Sequence, residues 1–510
     1  MGLAEHIFAI QGALQSSVTL PKVLPFAEWL PDRAALGLQA AVTALNVRPS
    51  EDGFRPVPGL STQSDALTAR AQGASAVRNT AGAVSYYAGD ETKLYRLAGS
   101  TFSDVSGATY TTAEDANWEF AKFGNTILAT NYADAVQGAT IGSGNFSDQF
   151  TSTDKPKAYH VDIVRDFVVL GNTNDTTDGV KPSRVWWGGI NSSVDMTPSA
   201  TTQSDFQDMP DGGWVQRVVG GIEYGLVFQE EMIRRMTYVG TPLIFSIDSI
   251  DRARGTPIPQ SVITYGRFVF FIASDGFFMT DGVQTQPIGN GKVDRTFWDQ
   301  FDIAYASRVS AAIDPVSKVV MWAFPGTGSS SGNPNKIYFY HWPTGKWSEA
   351  EVDTEVIFRA LAKGYTLDGL DAVSTNLDTL AFSLDSRAWT GQQIKLAIFN
   401  QSHILTFMDG SNLAATIDTG DVQLNPAGLA TVNNVSPLVD GGTAITVALD
   451  ERARIQDSVS FGTASTIDSN GRCNLLSTAR FHRFRTTIPA ATSWNHAQGV
   501  RVDYINAGTD

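Results

Sequence analysis

The sequence predicts an all-β protein made of short antiparallel strands. One stretch, SVITYGRFVFFIASDGFFMTDGVQTQP, shows the pattern best. An apolar run from Val262 to Ile272 meets a turn at Ser274-Asp275-Gly276, and a second run from Phe277 to Thr280 ends at Asp281-Gly282. Asp-Gly between apolar runs is typical of a hairpin, because glycine accepts the positive φ of a tight turn. Apolar residues at adjacent positions indicate a sheet covered on both faces, so similar sheets must lie on either side.

Similar runs recur along the chain, and their spacing predicts the architecture. They are Ala83–Ala88, Gly124–Ala129, Arg165–Leu170, Tyr224–Phe228 and Lys318–Ala323. Their intervals of about 40 to about 58 residues lie at the upper end of the range for four-stranded propeller blades. We therefore expect a β-propeller of about six to eight blades, and an assembly of several β-sandwich sheets is the alternative.

Composition narrows the class of protein further. The 510 residues are 42% apolar and 17% charged with 46 glycines, which fits a turn-rich chain able to bury a large core. The single cysteine, Cys473, excludes an internal disulfide framework and any site of several cysteine ligands. A formal charge of −15 argues against static binding of DNA or RNA, because such binding depends on neutralising phosphates with Lys and Arg.

The chain divides into three predicted regions. Residues 1–45 form an N-terminal arm, residues 46–370 the propeller, and residues 371–510 propeller-closing strands with a small β-domain. Early and late strands are expected to pair, as they do when a ring of blades closes.

The N-terminal arm is predicted to be extended. Pro21, Pro25 and Pro31 remove hydrogen-bond donors and favour extended backbone, so Val18–Asp32 is expected to lie across another surface. The alternative is a loop packed on its own domain. Met1–Gln15 lacks the pattern of a signal peptide, and no run approaches 18 apolar residues, so we expect no membrane anchor.

Several short stretches carry a resemblance to a known family. They are Trp29-Leu30-Pro31-Asp32, Asn46-Val47, Gly53-Phe54-Arg55-Pro56, Trp214-Val215-Gln216, Phe228-Gln229-Glu230, Arg234-Arg235-Met236-Thr237-Tyr238-Val239-Gly240, Pro287-Ile288-Gly289 and Lys292-Val293-Asp294-Arg295. With the recurring runs, they resemble bacteriophage tail proteins of the propeller type. These are the hub or nozzle proteins of short-tailed phages, also called packaged-DNA stabilisation proteins. The resemblance covers most of the chain in organisation.

The resemblance implies a structural protein of the virion tail, assembled in the host cytoplasm. Its implied state is a homo-oligomer in a six-fold ring below the portal and adaptor, with tail fibre or tailspike proteins as neighbours. Such a ring would seal the genome and later conduct it, with transient contact to DNA. The alternative is a tail adhesin, or a glycan-binding or glycosidase propeller that contacts the host surface.

Motifs for catalysis or for a cofactor are weak. Gly328-Ser329-Ser330-Ser331-Gly332 matches G-x-S-x-G but lies in a Gly/Ser loop with no helix predicted after it. Gly289-Asn290-Gly291-Lys292 resembles the end of a phosphate-binding loop, but Val293 stands where Ser or Thr is needed. The S-x-D-x-G-x-x-W repeat of sialidase propellers is not found in the sequence. We expect no catalytic site, no cofactor and no enzymatic activity.

One acidic turn is the best candidate for a metal. Asn174, Thr176 and Asp178 alternate before Gly179, but Val185 stands where calcium loops have a bidentate Glu. The six histidines form no pair at metal-ligand spacing, and His160 is expected to be a buried structural residue. A solvated turn is therefore the prediction, with no metal site.

Two basic clusters are the candidate contacts with another subunit or with DNA. They consist of Arg234, Arg235, Arg480, Arg483 and Arg485. In a strand, alternate residues share a face, so Arg483 and Arg485 are expected to project together while Phe484 points inward. An outward polar face without a partner is the alternative.

Overall fold

A computed structural model describes residues 20–152, 155–362 and 393–508. The predicted all-β class is confirmed, with 52% strand and 4% helix. Met1–Gln15 and the predicted boundary near residue 370 lie outside the described residues, and the division into three regions stays a prediction.

Five strands precede the recurring units. They are β1 (Leu20–Pro25), β2 (Ala41–Leu45), β3 (Val47–Ser50), β4 (Gly53–Pro56) and β5 (Ser61–Ala66). β1 is extended, as predicted for the arm, and pairs in antiparallel fashion with a strand near the C-terminus.

Five four-stranded antiparallel sheets follow in chain order, and we call them units 1 to 5. Unit 1 contains β6 (Gly73–Arg78), β7 (Val84–Gly89), β8 (Leu94–Ala98) and β9 (Thr101–Asp104). Unit 2 contains β10 (Glu119–Phe123), β11 (Thr126–Thr130), β12 (Gln137–Thr140) and β13 (Ser147–Asp148). Unit 3 contains β14 (Lys157–Val164), β15 (Phe167–Asp175), β16 (Gly179–Trp187) and β17 (Asp205–Asp208). Unit 4 contains β18 (Val215–Val219), β19 (Tyr224–Gln229), β20 (Ile233–Gly240) and β21 (Ile244–Asp251). Unit 5 contains β22 (Ile263–Tyr265), β23 (Phe268–Ala273), β24 (Gly276–Thr280) and β25 (Thr285–Pro287).

Units 6 and 7 complete the series. Helix α1 (Asp294–Gln300) and a 3₁₀ segment (Ile303–Arg308) lead into unit 6, and shorter 3₁₀ turns lie at Pro210–Gly212 and Pro259–Ser261. Unit 6 contains β26 (Ser310–Asp314), β27 (Val319–Phe324), β28 (Lys336–His341) and β29 (Lys346–Glu351). Unit 7 contains β30 (Val356–Leu361), β31 (Ile394–Phe399) and β32 (Ile404–Phe407), and the early strand β5 is its fourth member.

The first strands of the units are neighbours in chain order. β6 contacts β10, β10 contacts β14, and β14 contacts β18. β18 contacts the 3₁₀ turn that leads into β22, β22 contacts β26, and β26 contacts β30. β30 in turn contacts β6, so the seven first strands of the described chain, together with the 3₁₀ turn before β22, form a closed circle of neighbours.

The late strands build two further layers. They are β33 (Ala415–Thr419), β34 (Ala430–Gly441), β35 (Thr446–Arg452), β36 (Ser465–Thr466), β37 (Cys473–Ala479), β38 (Phe481–Ile488) and β39 (Trp494–Asn506). β39, β34 and β37 form a sheet with β1, β3 and β4. β33, β38, β35 and β36 extend unit 6 through β2, which lies between β29 and β33 and makes one nine-stranded sheet.

The largest hydrophobic core joins the arm, units 5 and 6 and the late strands. Its large buried side chains include Phe26, Trp29, Phe277, Phe297, Trp322, Tyr338, Trp347, Phe484 and Trp494. The Trp29 and Tyr338 rings meet edge to face with centroids 5.1 Å apart. The described part of the arm therefore packs on its own chain, which is the alternative that the sequence left open.

One predicted apolar run contains a turn. The run from Val262 to Ile272 is split by a turn at Gly266, whose φ of +61° lies in the left-handed region. β22 and β23 pair across this turn. Apolar content could not reveal the break, because Tyr265 and Phe268 on either side of it are typical strand residues. The predicted turns at Ser274-Asp275-Gly276 and Asp281-Gly282 are confirmed between β23, β24 and β25.

Candidate functional site

A polar cluster lies where the first strands of units 2, 3 and 4 meet the turn before unit 5. We call Glu119, His160, Arg217 and Gln260 the axial cluster. His160 Nδ1 lies 2.9 Å from Glu119 Oε1, and Gln260 Nε2 donates to the same oxygen at 2.9 Å. Arg217 Nη1 also donates to Glu119 Oε1. One carboxylate thus connects four consecutive parts of the circle.

The local electrostatics explain why Glu119 is stable in this place. Its side chain is buried, which raises the pKa of the carboxyl, but Arg217 and His160 outweigh this effect and lower the pKa to about 2. The group is therefore ionised at neutral pH. Burying a charge is costly unless it is paired and hydrogen-bonded, and Glu119 meets both conditions. His160 is buried and hydrogen-bonded, as predicted.

A second set of contacts crosses the other side of the circle. Arg308 Nη2 donates to Glu114 Oε1 at 2.6 Å, and Asn117 Nδ2 donates to the Ser307 carbonyl at 2.7 Å. These bonds connect the loop between units 1 and 2 with the 3₁₀ segment before unit 6. Since these units are not neighbours in the circle, the bonds span its interior.

The interior of the circle leaves a cavity of about 150 Å³. It is lined by residues of the first strands and of the connections before them, including Glu119, Arg217, Gln260, Arg308 and Glu355. Glu355 Oε2 accepts the Ala71 amide at 2.9 Å, and its Oε1 contacts His403 Nδ1. The carboxylates that line the cavity therefore already have hydrogen-bond partners. The arrangement is better suited to connecting units than to a chemical reaction.

The predicted cluster at Arg234 and Arg235 lies on β20. Arg234 Nε donates to Gln229 Oε1 at 2.7 Å, and its Nη2 forms an ion pair with Asp211. The Arg235 guanidinium lies 5.9 Å from the Tyr224 ring centre. Arg234 is buried and forms these contacts within its own chain, which is a structural role.

The second predicted cluster lies on and beside β38. Arg483 and Arg485 share one face and Phe484 is buried on the other, as predicted. Arg485 binds both oxygens of Asp418 at 2.8 and 2.7 Å, and Arg483 Nε lies 2.7 Å from Asp421 Oδ1. The Arg480 guanidinium lies over the Phe481 ring, 5.9 Å from its centre. Whether any of the five arginines also contacts another subunit or DNA stays a prediction.

The acidic turn is part of the β15–β16 hairpin. Arg184 Nη1 lies 2.7 Å from Asp178 Oδ2 and 3.2 Å from Asp175 Oδ2, so one guanidinium holds two of its carboxylates. Nowhere in residues 20–152, 155–362 and 393–508 do three His, Cys, Asp or Glu side chains form a group suited to a metal.

The two weak catalytic motifs occupy ordinary structural positions. Gly328–Gly332 lies in the loop between β27 and β28, where Ser329 Oγ donates to the Asn333 carbonyl at 2.8 Å. Lys292 Nζ lies 2.8 Å from Glu28 Oε2 and donates to the Gly345 carbonyl. The lysine thus connects the arm with unit 6.

Comparison with known proteins identifies no relative. No protein-family model matches the chain, and a search of curated proteins gives no significant match. In the described part of the chain, no helix has the length and apolar character needed to cross a bilayer. The function is therefore inferred from the geometry and from the short stretches noted in the sequence.

Two pairs of those stretches contact each other. Asp32 accepts the amides of Arg295 and Thr296 at 2.9 Å each, which ties Trp29-Leu30-Pro31-Asp32 to the start of α1. Glu230 Oε2 accepts the Trp214 amide at 3.0 Å, within unit 4. These hydrogen bonds are structural.

Sequence reasoning missed the axial cluster. Its members are spread from residue 119 to residue 260 and share no motif, and they come from units 2, 3 and 4 and the turn before unit 5. The one available signal was positional, since a polar side chain stands in or just before the first strand of each of units 2 to 5.

Proposed function

We propose that the seven units form a seven-bladed β-propeller, within the predicted range of six to eight blades. The contact of β30 with β6 supports this proposal, because it completes the circle of first strands. The pairing of β5 with β32 supports it as well, since an early strand then closes the last unit. Blades around an axis leave only short protected edges, which suits a rigid building block.

On this fold, we infer that the chain is a structural subunit of a phage tail ring that seals and conducts DNA. The observation that carries this inference is the narrow interior of the circle. Its cavity of about 150 Å³ is lined by Glu119, Arg217 and Arg308, and the Glu119–Arg217 ion pair joins two units there. Duplex DNA cannot pass along the axis of one subunit, so a DNA passage belongs between subunits of a closed ring.

The charges of the chain are compatible with a passage that does not retain DNA. The formal charge is −15, and Arg234, Arg483 and Arg485 are paired with Asp211, Asp421 and Asp418 of the same chain. Tight binding of DNA requires many cations free to neutralise phosphates. A wall whose arginines already have partners would let a polyanion slide past.

A receptor- or glycan-binding tail module is the second candidate. The observation that favours it is Trp214, a large aromatic side chain that is 55% exposed at the start of β18. Exposed aromatic residues are enriched at binding sites, where one end of the ring stays wet.

Native mass spectrometry of the purified chain distinguishes the two candidates. A single closed assembly of several copies, six by the resemblance, supports the ring. A monomer that binds defined glycans on an array, and loses this binding in Trp214→Ala, would overturn the ring in favour of the binding module. A matched control is Tyr265→Ala, which removes another exposed aromatic side chain.

A further inference from the structure

A cluster of basic side chains lies between the β3–β4 hairpin and the β26–β27 turn. Arg48, Arg55, Lys318, His341 and His496 line a cavity of about 410 Å³. They come from five elements or turns that are up to 448 residues apart in the chain, so no sequence motif reveals them. We call this the basic pocket.

The two arginines face each other in an unfavourable way. Arg48 and Arg55 are direct partners across the antiparallel β3–β4 pair. Like charges at directly opposite positions destabilise a hairpin. Arg48 Nε donates to the Pro56 carbonyl at 3.0 Å and its Nη1 to Ser317 Oγ at 3.3 Å, so neutral oxygens hold it in place.

These three cations form no close ion pairs. Within the described residues, Arg48, Arg55 and Lys318 have no carboxylate oxygen at ion-pair distance, whereas Arg184 and Arg485 bind carboxylates. Glu51 and Asp52 also line the cavity, and Asp314 acts favourably on Arg48 from a longer distance. The guanidinium and ammonium groups therefore keep donors that an anion in the cavity can use.

The histidines add titratable donors to the pocket. Ser50 Oγ donates to the Gly53 carbonyl at 3.0 Å and lies 3.1 Å from His496 Nε2. His341 Nδ1 lies 2.6 Å from Thr344 Oγ1. Burial lowers the pKa of both rings, and Lys318 and Arg55 lower the pKa of His341 and His496 further.

We propose that the basic pocket binds a phosphate group. Guanidinium and ammonium groups that converge from several elements match the several oxygens and the negative charge of a phosphate, whereas a carboxylate offers only two oxygens. The phosphate can belong to a DNA backbone or to a small free phosphate, and the test separates these sources. The phosphate site does not depend on the proposed ring, because phosphate binding can be measured on single chains that have not assembled.

Isothermal titration of the full chain with inorganic phosphate at pH 7 and low salt tests the site. We expect one saturable site per chain. Arg55 and Lys318 are exposed, so Arg55→Gln/Lys318→Gln removes two charges without opening the core. This variant should bind phosphate at least about tenfold more weakly, as expected for the loss of charged hydrogen bonds. Lys122→Gln/Arg267→Gln removes two exposed charges elsewhere and should bind like the wild type.

The pH dependence of anion affinity is a second readout. It would not appear if the two histidines had only a structural role. Sulfate keeps its double charge from pH 7.5 to 5.5, so any change in its affinity belongs to the protein. We expect affinity to rise about fivefold or more as His341 and His496 gain protons. The charged groups that act on the two rings are Glu51, Asp52, Asp440, Arg55, Lys318 and Lys346, and Asp314 acts on Arg48. His341→Gln/His496→Gln should remove most of this rise.

A short DNA duplex identifies the source of the phosphate. Displacement of the duplex by phosphate indicates the DNA backbone, and phosphate binding without duplex binding indicates a free phosphate. No saturable phosphate binding, or an equal loss in the Lys122→Gln/Arg267→Gln control, would overturn the site. If the chain assembles into a ring but binds no phosphate, the phosphate site is wrong and the ring stands. If the chain is a monomer that binds phosphate, the ring is wrong and the site stands.

Discussion

At the scale of single residues, the most consequential group is the Glu119 carboxylate. It has three charged or polar side-chain partners, from units 3 and 4 and from the turn before unit 5. Removing the charge of Glu119 leaves the partly buried Arg217 without its ion-pair partner. The loss of such a partner lowers the free energy of unfolding.

We therefore predict that Glu119→Gln lowers the free energy of unfolding at pH 7 by about 2 to 3 kcal/mol. The pKa of Glu119 falls from 4.5 to about 2 on folding, so the contribution is complete above about pH 4.5 and is lost as the pH falls toward 2. Urea unfolding at pH 7 and at pH 3 measures both effects. Glu223→Gln, at an exposed carboxylate, is the control, and an equal loss there would refute the role of Glu119.

His482 gives a second pH-dependent prediction. The residue is fully buried, neither ring nitrogen has a hydrogen-bond partner in the described residues, and burial lowers its pKa to about 4. Because the folded state resists protonation, stability should fall as the pH drops from 6.5 toward 4, by about 2 kcal/mol between pH 6.5 and 5.

His482→Leu should abolish that part of the pH dependence, because leucine is of similar size and cannot be protonated. Urea midpoints of wild type and variant at pH 7.5 and pH 5 measure the difference. Identical slopes in both proteins would show that another group titrates.

Single residues also show where sequence reasoning ends. The inward direction of Phe484 followed from strand alternation, which is local. The partners of Arg483 and Arg485 could not be predicted in this way, because Asp421 and Asp418 lie more than 60 residues away in the chain. Pairing across that distance depends on which strands become neighbours, and strand order is not written in local pattern.

At the scale of elements, the closing strand β5 is the most informative. It pairs with β32, so Thr62 lies opposite Thr406 and Ser61 opposite Phe407. The buried Ser64 Oγ accepts the Leu405 amide at 3.1 Å, which fixes the two strands to each other. If this pairing closes a ring of blades, weakening it should affect the whole ring.

We predict that Ser64→Ala lowers the free energy of unfolding by about 1 to 3 kcal/mol, because the Leu405 amide loses its buried partner. The transition should stay single and shift as one when it is followed by tryptophan fluorescence and by circular dichroism. Thr62→Ala, on an exposed position of the same strand, should have little effect. A separate early transition confined to unit 7 would contradict closure.

The recurring runs indicated units 1 to 6, because the four strands of each of these units follow one another in the sequence. The exception is informative: the run from Val262 to Ile272 became two strands, since one glycine was enough to turn the chain. The insertion of β2 between β29 and β33 was not predictable, because its partners lie about 300 to 375 residues away. Hydrophobic pattern predicts that a strand exists and does not name its neighbour.

At the scale of the whole molecule, the shared core is the main feature. The arm, units 5 and 6 and the late strands bury one continuous set of aromatic residues, which joins parts that the sequence had placed in separate regions. Such a core holds the late strands in a fixed position against the circle. A rigid body of this kind suits a subunit whose neighbours must meet it at constant angles, because a ring closes only when each interface repeats the same rotation.

The measurement that tests the account most directly is electron microscopy of the purified assembly, with class averages viewed along its symmetry axis. We predict a closed ring of propeller-shaped subunits around a central hole wide enough for duplex DNA, with no such hole along the axis of a single subunit. Single particles, open chains of subunits or a closed assembly without a hole would contradict it.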